Sequence, residues 1–535
     1  MRPVPATDKA TDFDATPVST EPFFHDWDGG DAAGQSPAQS DGDDERPVAR
    51  SIAAFVLAGL VALSLIAAAV ALIVAKWLPT GWLVGVVAVD AVASAGVIAL
   101  LLTSRAVRHR ARFVLGVLLS LVLIIVNCGV SVAGYEYHRL TNGITGSVNG
   151  DTIQYDIVAL TSGPATLSDI VDTKMGQTVD DPNQDTVQQK IGELVSGITF
   201  IDQQDWSTSV SNLLGGEFPS IVIQDGFMQI LQDADPTDYA NLKILTNFTI
   251  KGTAMTPSGN PSVSPPPDLG PDQPFIVYIS GIDTSGAITN RSRSDVNQLM
   301  VVNPKTGKVL LVSTPRDFYV QLADMPSCGT LKDKLTHSGV YGINVSVDTM
   351  NALYGINIDY YVRLNFTSLV TLIDAVGGID VTSSVAFSAP SNSGKGTYNF
   401  VKGVNHLNGD QALAFARDRH SFATGDRQRG IDQQAVIAGV LAKVTQASSL
   451  LNAPAIISAI SGSIQTSMTP DEISAQVQQQ ITNGTKWSIT SMSANGSDAS
   501  QYTCSYPHQK LYVMVPDQAT VDAAKTAIQQ VLAGN

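Results

Sequence analysis

Cysteine is scarce in this chain of 535 residues, and basic residues are fewer than acidic ones. Three cysteines, Cys128, Cys328 and Cys504, are too few for a disulfide-rich miniprotein, and their spacing is not that of a thiolate metal site. The 32 Lys and Arg against 48 Asp and Glu give a net charge of −16. Non-specific nucleic-acid binding needs a surplus of positive charge, so we expect no nucleic-acid partner.

Residues 1–47 contain too few aliphatic side chains to build a core. They are rich in Asp, Pro, Ser, Gly and Thr, which is the composition of a disordered segment. They have no basic region followed promptly by an apolar stretch, so a cleaved signal peptide is not predicted. We interpret residues 1–47 as a disordered acidic tail.

Long apolar runs, by contrast, fill residues 48–134. Three segments, near 51–75, 81–102 and 113–133, each approach the ~20 residues that cross a bilayer. The second segment carries Asp90, and a carboxylate at mid-membrane costs about 2.5 to 3.5 kcal/mol. We expect this segment to span nevertheless, with Asp90 facing another helix, because the surrounding Val, Leu, Ile and Trp offset that cost. A proton relay is the alternative role for Asp90, but the three segments contain no second ionisable partner for it.

The basic residues around these segments predict their orientation. The loop between the first and second segments contains one basic residue, Lys76. Arg46 and Arg50 precede the first segment, and the loop between the second and third segments contains Arg105, Arg108, Arg110 and Arg112. By the positive-inside rule the N-terminus is cytoplasmic, and a large part after residue 134 is extracellular. The sequence therefore predicts a multi-pass protein of the cell membrane.

Two domains are predicted after the membrane segments. Residues 135–253 alternate short apolar runs with helical patterns, which indicates a smaller α/β accessory domain. We assign it no chemistry, because it lacks clustered His, Cys or Arg. Residues 254–274 contain seven prolines and form a semi-stiff linker. Residues 275–535 mix strands and helices, and we expect an α/β (α+β) domain with a mixed central sheet flanked by helices.

Charged residues gather at strand ends in this last domain. The apolar run 275–279 predicts a strand, and the runs 299–302 and 309–312 predict a hairpin. Aspartates and arginines follow these runs, and further arginines end one predicted helix and begin the next, at 426–444. A guanidinium is planar, always charged and able to hold two oxygens at once, so clustered arginines suit phosphate or pyrophosphate.

The order and spacing of these residues resemble a known family. Gly281-Ile282-Asp283, Arg293-Ser294-Asp295 and Pro315-Arg316-Asp317 are similar to the signature of the LytR-CpsA-Psr family of bacterial cell-wall enzymes. Lys334, the run from Leu407 to Arg419, and the run from Asp426 to Gln434 continue the likeness. The resemblance covers residues 275–441 strongly and the chain to residue 531 loosely.

The resemblance implies a phosphotransferase that moves a glycopolymer from a polyprenyl-pyrophosphate carrier to peptidoglycan, through a phosphodiester link. It implies a Mg²⁺ ion held by Asp283 and Asp295, since this hard cation prefers carboxylate oxygens and substrate phosphates. It also implies catalytic roles for Asp283, Asp295, Arg316, Arg417, Arg419 and Arg429, and pyrophosphate-binding roles for Arg293, Asp317, Lys334, Arg427 and Gln433. Asp295 and Asp317 are both candidates for the base, and an apolar groove beside the helix 367–376 is expected for the lipid.

Three positions depart from the family pattern. Thr314 and Arg363 stand where the family often has an apolar or small residue, and Asp432 stands where a further arginine is usual. The last departure weakens the phosphate clamp unless Arg427 substitutes. Two other functions stay open at this point: a phosphohydrolase that acts on the same carrier, and a non-catalytic membrane-anchored sensor of wall precursors.

Cys328 and Cys504 both lie on the predicted extracellular side, where disulfides persist. We hypothesise that they pair. Cys128 lies in the third membrane segment and is interpreted as an apolar filler.

Overall fold

Three long helices precede two mixed α/β lobes. The computed structural model describes residues 45–104, 109–144, 151–179, 181–252, 270, 272–282, 288–323, 325, 328–422 and 425–535. Residues 1–44 of the predicted tail, most of the predicted linker and Asp283 lie outside the described residues. The helices are α1 (Glu45–Ala75), α2 (Thr80–Thr103) and α3 (Arg110–Ile144).

All three helices are long and apolar enough to cross a membrane, as predicted, over Val48–Ala75, Thr80–Thr103 and Arg110–Arg139. Helix α1 begins within the stretch predicted to be a tail, and α3 continues beyond the predicted end of the membrane region at residue 134. Asp90 accepts a hydrogen bond from Ser94 and lies with Asn127 beside the space between the three helices. Its carboxylate therefore faces other helices, as expected.

The accessory lobe, residues 151–252, is a five-stranded sheet with helices. Its sheet has the order β3-β2-β4-β1-β5. Its strands are β1 (Thr152–Leu160), β2 (Lys174–Thr178), β3 (Thr199–Gln203), β4 (Ser220–Gln224) and β5 (Leu242–Lys251). Its helices are α4 (Gln184–Leu194), α5 (Trp206–Leu214), α6 (Asp225–Ala234) and α7 (Pro236–Ala240). Asp205 begins α5 by accepting the backbone N–H of Thr208 at 2.7 Å, a regular N-cap.

The C-terminal lobe, residues 272–535, holds the remaining elements. Its strands are β6 (Phe275–Ile282), β7 (Ser294–Asn303), β8 (Lys308–Thr314), β9 (Tyr319–Val320), β10 (Asp333–Lys334), β11 (Tyr360–Leu364), β12 (Ile379–Ser383), β13 (Phe387–Pro390), β14 (Thr397–Phe400), β15 (Gly403–Leu407), β16 (Ile464–Thr466), β17 (Ser488–Ser493), β18 (Gly496–Tyr502) and β19 (Lys510–Pro516). Its helices are α8 (Ser338–Tyr341), α9 (Ile343–Tyr354), α10 (Phe366–Ala375), α11 (Gly409–Arg417), α12 (Asp426–Val444), α13 (Ala447–Leu451), α14 (Ala453–Ile460), α15 (Pro470–Asn483) and α16 (Gln518–Leu532).

The central sheet of this lobe is mixed and buried on both faces. Its order is β16-β11-β6-β7-β8-β17; β6, β7 and β8 pair antiparallel, whereas β11 pairs parallel to β6. One face packs against α9 and α16 and the other against α12, so every residue of β6 is buried. This explains the continuous apolar run, because a strand covered on both faces cannot alternate apolar and polar residues. The predicted fold class and hairpin are confirmed.

Cys328 and Cys504 form a disulfide with a Cα–Cα distance of 5.3 Å, which confirms the predicted pairing. Cys328 precedes β10, and Cys504 lies between β18 and β19. The bond therefore joins the segment after β9 to the connection between the last two strands.

The two lobes share a core. Trp206, Met228 and other accessory-lobe residues pack in one cluster with Val340, Tyr506 and Leu511 of the C-terminal lobe. Helix α6 approaches closely at Gly226, where an added Cβ would lie 2.7 Å from Val340 Cγ1. The close contact requires glycine and holds α6 against the C-terminal lobe.

The membrane helices also pack on the C-terminal lobe. Ala75 and Tyr137 form a small apolar cluster with Ile457 of α14 and Ile464 of β16. The Tyr137 hydroxyl lies 3.2 Å from the Ser474 hydroxyl on α15. Helix α14 in turn packs against α10, so the ends of α1 and α3 lie on the same side of the lobe as α10.

Candidate active site

Asp295, near the start of β7, lies among buried and partly buried arginines. Its Oδ1 accepts hydrogen bonds from Arg316 Nη1 at 3.1 Å and from Thr336 Oγ1 at 2.8 Å. Burial would raise the pKa of Asp295, but the charges of Arg316, Arg293 and Arg429 outweigh that effect and hold the pKa well below its usual range. Asp295 is therefore an anion at neutral pH.

Asp317 is a second carboxylate beside Arg316. Lys334 Nζ lies 3.0 Å from Asp317 Oδ1, and Arg316 Nε lies 3.6 Å from Oδ2. The pairing of β9 with β10 places Lys334 opposite Tyr319 and thus beside Asp317. Burial opposes ionisation of Asp317, yet Lys334 and Arg316 lower its pKa overall. Arg316 consequently joins Asp295 and Asp317 in one charged network.

A cavity of about 460 Å³ opens beside this network, and most of its charged lining is arginine. We call it the cationic cavity. It brings together side chains from the start of β7, the end of β8, the end of α11 and the first turns of α12. The predicted site residues that line it are Arg293, Asp295, Arg316, Arg417, Arg419, Arg429 and Gln433.

Arg417 and Arg419 reach the cationic cavity from the end of α11. Asn408 caps the start of this helix by accepting the backbone N–H of Gln411, which fixes where the helix begins. The Arg417 guanidinium lies 4.0 Å from the centre of the Phe366 ring, and its Nη1 donates to Asn392 at 2.6 Å. Arg419 is exposed and has no hydrogen-bond or charged partner among the described residues. Its charge is available to a ligand.

An apolar cavity of about 90 Å³ adjoins the cationic cavity. Helix α10 contributes Phe366 and Leu369, and α12 contributes Val436 and Ile437. The two cavities share lining residues: Asp295, Val296, Phe366, Ala416, Arg417 and Gln433. This apolar cavity lies beside α10, the helix next to which an apolar groove is expected.

A third, polar cavity of about 460 Å³ adjoins the cationic cavity at Arg316 and Arg419. It shares Asp233, Arg316 and Arg419 with the cationic cavity. Its other charged or polar side chains are Asp317, Lys334, Arg427, Asp498 and Tyr512. Apolar, cationic and polar cavities therefore follow one another across the lobe.

Arg427 does not lie in the cationic cavity. Its guanidinium binds Asn495, the carbonyl of Gly496 and Asp498, the last at 3.2 Å, and lines the polar cavity. Asp432, at the position where the family usually has arginine, is buried, and its Oδ2 has no hydrogen-bond partner among the described residues. Burial, with a smaller contribution from Asp418, raises the pKa of Asp432 to about 7. In this structure Arg427 does not replace the missing arginine.

Arg363 has a structural role rather than a place in the cavities. It is 1% exposed, and its Nη1 donates to Asp151 at 3.1 Å. Its Nη2 donates to the carbonyl of Asn290 at 2.6 Å. Asp151 also pairs with Arg291, at 3.6 Å. The three charges form a buried cluster where the two lobes meet.

Asp233 is the site residue that sequence reasoning missed. It lies on α6 of the accessory lobe, to which no chemistry was assigned, yet it pairs with Arg293 and lines two of the cavities. No motif marks it, because α6 has the sequence of an ordinary amphipathic helix. Asp283, predicted to bind metal with Asp295, lies outside the described residues.

Residues 245–530 match the model of the LytR_cpsA_psr family. The chain belongs to this family. The match confirms the family that was predicted from the motifs around Asp295, Arg316 and Arg417. The family match begins at residue 245, within β5, so it also includes most of the last strand of the accessory lobe.

Curated relatives cover a shorter stretch of the chain. A protein of Enterococcus faecalis (strain ATCC 700802 / V583), named polyisoprenyl-teichoic acid–peptidoglycan teichoic acid transferase TagU, is 35% identical over 208 residues, or 38% of this chain and 65% of that protein. The TagU of Bacillus cereus (strain AH820) is 33% identical over 202 residues, or 38% of this chain and 63% of that protein. The match spans less than two thirds of either relative.

Solved structures are similar to about half of the chain. TagV of B. subtilis is 28% identical and covers 49% of this chain and 98% of its own, with a TM-score of 0.42. TagT bound to LI-WTA is 25% identical and covers 51% of this chain and 97% of its own, with a TM-score of 0.39.

Proposed function

We propose that this protein transfers a glycopolymer from a polyprenyl-pyrophosphate carrier to peptidoglycan and so forms a phosphodiester link. The observation that carries the proposal is the succession of apolar, cationic and polar cavities around Arg316 and Arg417. A lipid-linked glycan has the same succession of an apolar chain, a pyrophosphate and sugars. The names of the curated relatives describe a transfer of this type.

In this proposal the arginines bind the pyrophosphate and stabilise its departure. An acceptor hydroxyl attacks the phosphorus next to the glycan, a new P–O bond forms, and the bond from that phosphorus to the bridging oxygen breaks. Polyprenyl phosphate leaves with the electron pair. Arg316, Arg417 and Arg429 face the charge that grows on the leaving group, and such fixed cations favour the transition state over the ground state. Arg293 and Gln433 complete the lining.

A Mg²⁺ ion is part of the proposal, with Asp295 and Asp283 as its protein ligands. Within the described residues, both hydrogen bonds to Asp295 reach Oδ1, which leaves Oδ2 for a cation. Mg²⁺ commonly binds through one or two carboxylates and the substrate phosphates, so this small ligand set fits. When bound, the ion would neutralise charge on the transferred phosphoryl group.

The packing of the membrane helices supports a lipid substrate. The ends of α1 and α3 contact α14, which packs on α10, and α10 lines the apolar cavity. A polyprenyl chain leaving the bilayer would therefore meet the side of the lobe where the apolar cavity lies. The basic loops support an N-terminus in the cytoplasm and both lobes outside, where peptidoglycan is found.

The test is an attachment assay with the full chain in detergent, a radiolabelled polyprenyl-pyrophosphate glycan and peptidoglycan. We expect label in peptidoglycan, and we expect EDTA to abolish it and Mg²⁺ to restore it. Arg417→Ala should lose attachment by on the order of 100-fold, because it removes one fixed charge from the transition state. Lys190→Ala, at an exposed ion pair of the accessory lobe, is the matched control.

The outcomes separate the alternatives. Release of phosphate or free glycan without attachment, even with acceptor in excess, would indicate the phosphohydrolase. Binding of the lipid-linked glycan with no turnover, with or without Mg²⁺, would indicate the sensor. Attachment that survives EDTA would contradict the proposed need for Mg²⁺ but would still support the transfer reaction.

A further inference from the structure

Asp233 is a carboxylate that the accessory lobe places at the candidate active site. It lies near the end of α6 and pairs with Arg293. Its side chain is 45% exposed, whereas that of Arg293 is 7% exposed. It borders both the cationic and the polar cavity. The exposed part of the carboxylate therefore faces the space between a pyrophosphate in one cavity and a sugar in the other.

The position of Asp233 is fixed by packing on both sides. Met228, Ile230 and Leu231 of α6 are buried, and Gly226 of the same helix contacts Val340. One turn before Asp233, Gln229 Oε1 accepts a hydrogen bond from Ser292 Oγ at 2.9 Å. Helix α6 thus contacts two successive residues, Ser292 and Arg293, at the entrance of β7. These contacts hold helix α6 in place, so Asp233 is suited to positioning a reactive group.

The other carboxylates that border the two cavities are poorly suited to accept a proton from an incoming hydroxyl. Asp295 and Asp317 are 12% and 8% exposed and are occupied by Arg316, Thr336 and Lys334. Asp418 is 7% exposed. Asp498 is open, but it borders only the polar cavity, where it pairs with Arg427. Among the described residues, Asp233 combines exposure with contact to both cavities.

We infer that Asp233 is the catalytic residue that receives the proton of the acceptor hydroxyl, which enters through the polar cavity. The inference rests on the proposed function and adds an acceptor site built from both lobes. The acceptor is a carbohydrate hydroxyl, because the cavity offers carboxylate, amino and phenol groups that hydrogen-bond to sugars, through Asp498, Lys334 and Tyr512.

The step balances without another reactant. The hydroxyl oxygen forms a bond to phosphorus, its proton passes to a carboxylate oxygen of Asp233, and the bond from phosphorus to the bridging oxygen breaks. Arg293 stays beside both the phosphate and Asp233, and it stabilises the carboxylate until the proton arrives. Aspartate serves as the proton acceptor for a hydroxyl in other phosphoryl transfers, where departure of the leaving group runs ahead of attack.

The experiment compares the full chain with Asp233→Asn, Asp233→Glu and Asp238→Asn in detergent, with soluble glycan strands as acceptor. Asp238 is a carboxylate on the neighbouring helix α7, outside the cavities. We expect Asp233→Asn to lower kcat for transfer by on the order of 100-fold, the usual contribution of a general base. The donor KM should change less than about threefold, because the arginines that bind the pyrophosphate remain. Asp233→Glu should recover part of kcat, and Asp238→Asn should behave like the unaltered chain.

Each result decides between the proposals. Normal kcat in Asp233→Asn would overturn the inference and leave the proposed function intact. A raised donor KM with unchanged kcat, or a lower Tm that Asp233→Glu does not restore, would assign Asp233 to holding the lobes together and overturn the inference as well. Absence of transfer by the unaltered chain would overturn the proposed function, and this inference with it.

Discussion

Arg291 and Arg293 lie two positions apart, yet the structure uses them differently. Arg291 shares the carboxylate of Asp151 with Arg363, and less than a tenth of each of these three side chains is exposed. Arg293 is as deeply buried, but its partner Asp233 is half-exposed and stands at the edge of the cationic cavity. Both clusters therefore contain a buried arginine paired with an aspartate, and they differ in how exposed that aspartate is.

This difference separates a structural arginine from one that can bind a ligand. In the cluster around Asp151 all three charged side chains are buried, so their charges must compensate one another inside the protein. An arginine whose partner carboxylate is exposed at a cavity, as that of Arg293 is, can exchange its contacts for those of a ligand. The following predictions test the distinction, from the largest expected effect to the smallest.

Removal of the buried carboxylate of Asp151 should lower stability most. Asp151→Asn leaves Arg291 and Arg363 buried without an anion, and breaking a buried pair in this way typically costs about 3 to 5 kcal/mol. Thermal unfolding of the full chain in detergent should show the loss as a lower Tm. Asp471→Asn is the control, because the pair of Asp471 with Lys76 is exposed and should contribute less than about 1 kcal/mol. Equal Tm values for the two variants would contradict the structural role of the buried Asp151 cluster.

Removal of an arginine from the open cluster should affect activity and leave stability unchanged. Arg419→Ala should reduce transfer by on the order of 100-fold, since Arg419 is exposed and its charge is available to the substrate. Its Tm should stay within about 1 °C of the unaltered chain. Arg427→Ala is the matched comparison: this arginine is already engaged by Asp498 and Asn495, and we expect less than about a threefold change in transfer. Equal losses of transfer in both variants would contradict a special role for Arg419 in binding the substrate.

Asp432 offers a third case, a buried carboxylate with no cation beside it among the described residues. Its folded pKa of about 7 exceeds the ordinary value of an unfolded aspartate, so the folded state binds the proton more tightly. The contribution of Asp432 to the stability of the folded chain should therefore fall as pH rises from about 4 through 7. Asp432→Asn mimics the protonated form and should be more stable by about 2 kcal/mol at pH 8, with little difference near pH 4. Denaturation at both pH values measures this, and a constant difference would contradict it.

Much of the fold follows from local patterns. Helix α12 has the predicted bounds, 426–444, and the hairpin of β7 and β8 lies where two apolar runs flank Asn303 to Lys308. These elements are decided by periodicity and caps, which neighbours in sequence encode. The cationic residues Arg316 and Arg417 were found for a different reason: they belong to ordered motifs of the family.

What the sequence did not reveal depends on contacts between distant segments. Arg363 departs from the family pattern, and only the position of Asp151 shows that it belongs to a buried charged cluster with Arg291. Asp233 is the opposite case. Its helix carries no chemical motif, and its role depends on the docking of α6 beside Arg293. Pairing across two lobes has no local signal in a single sequence.

The most direct test of the account is to find where the lipid-linked pyrophosphate binds. The full chain in detergent would be irradiated with a polyprenyl pyrophosphate that carries a photoreactive group on its first isoprene units, and the labelled peptides identified by mass spectrometry. We predict labels on Phe366, Leu369 and Val436, at the junction of the apolar and cationic cavities, and weaker labelling when unlabelled polyprenyl pyrophosphate is added. Labels confined to the membrane helices or to the accessory lobe would contradict the central claim that these cavities bind the substrate.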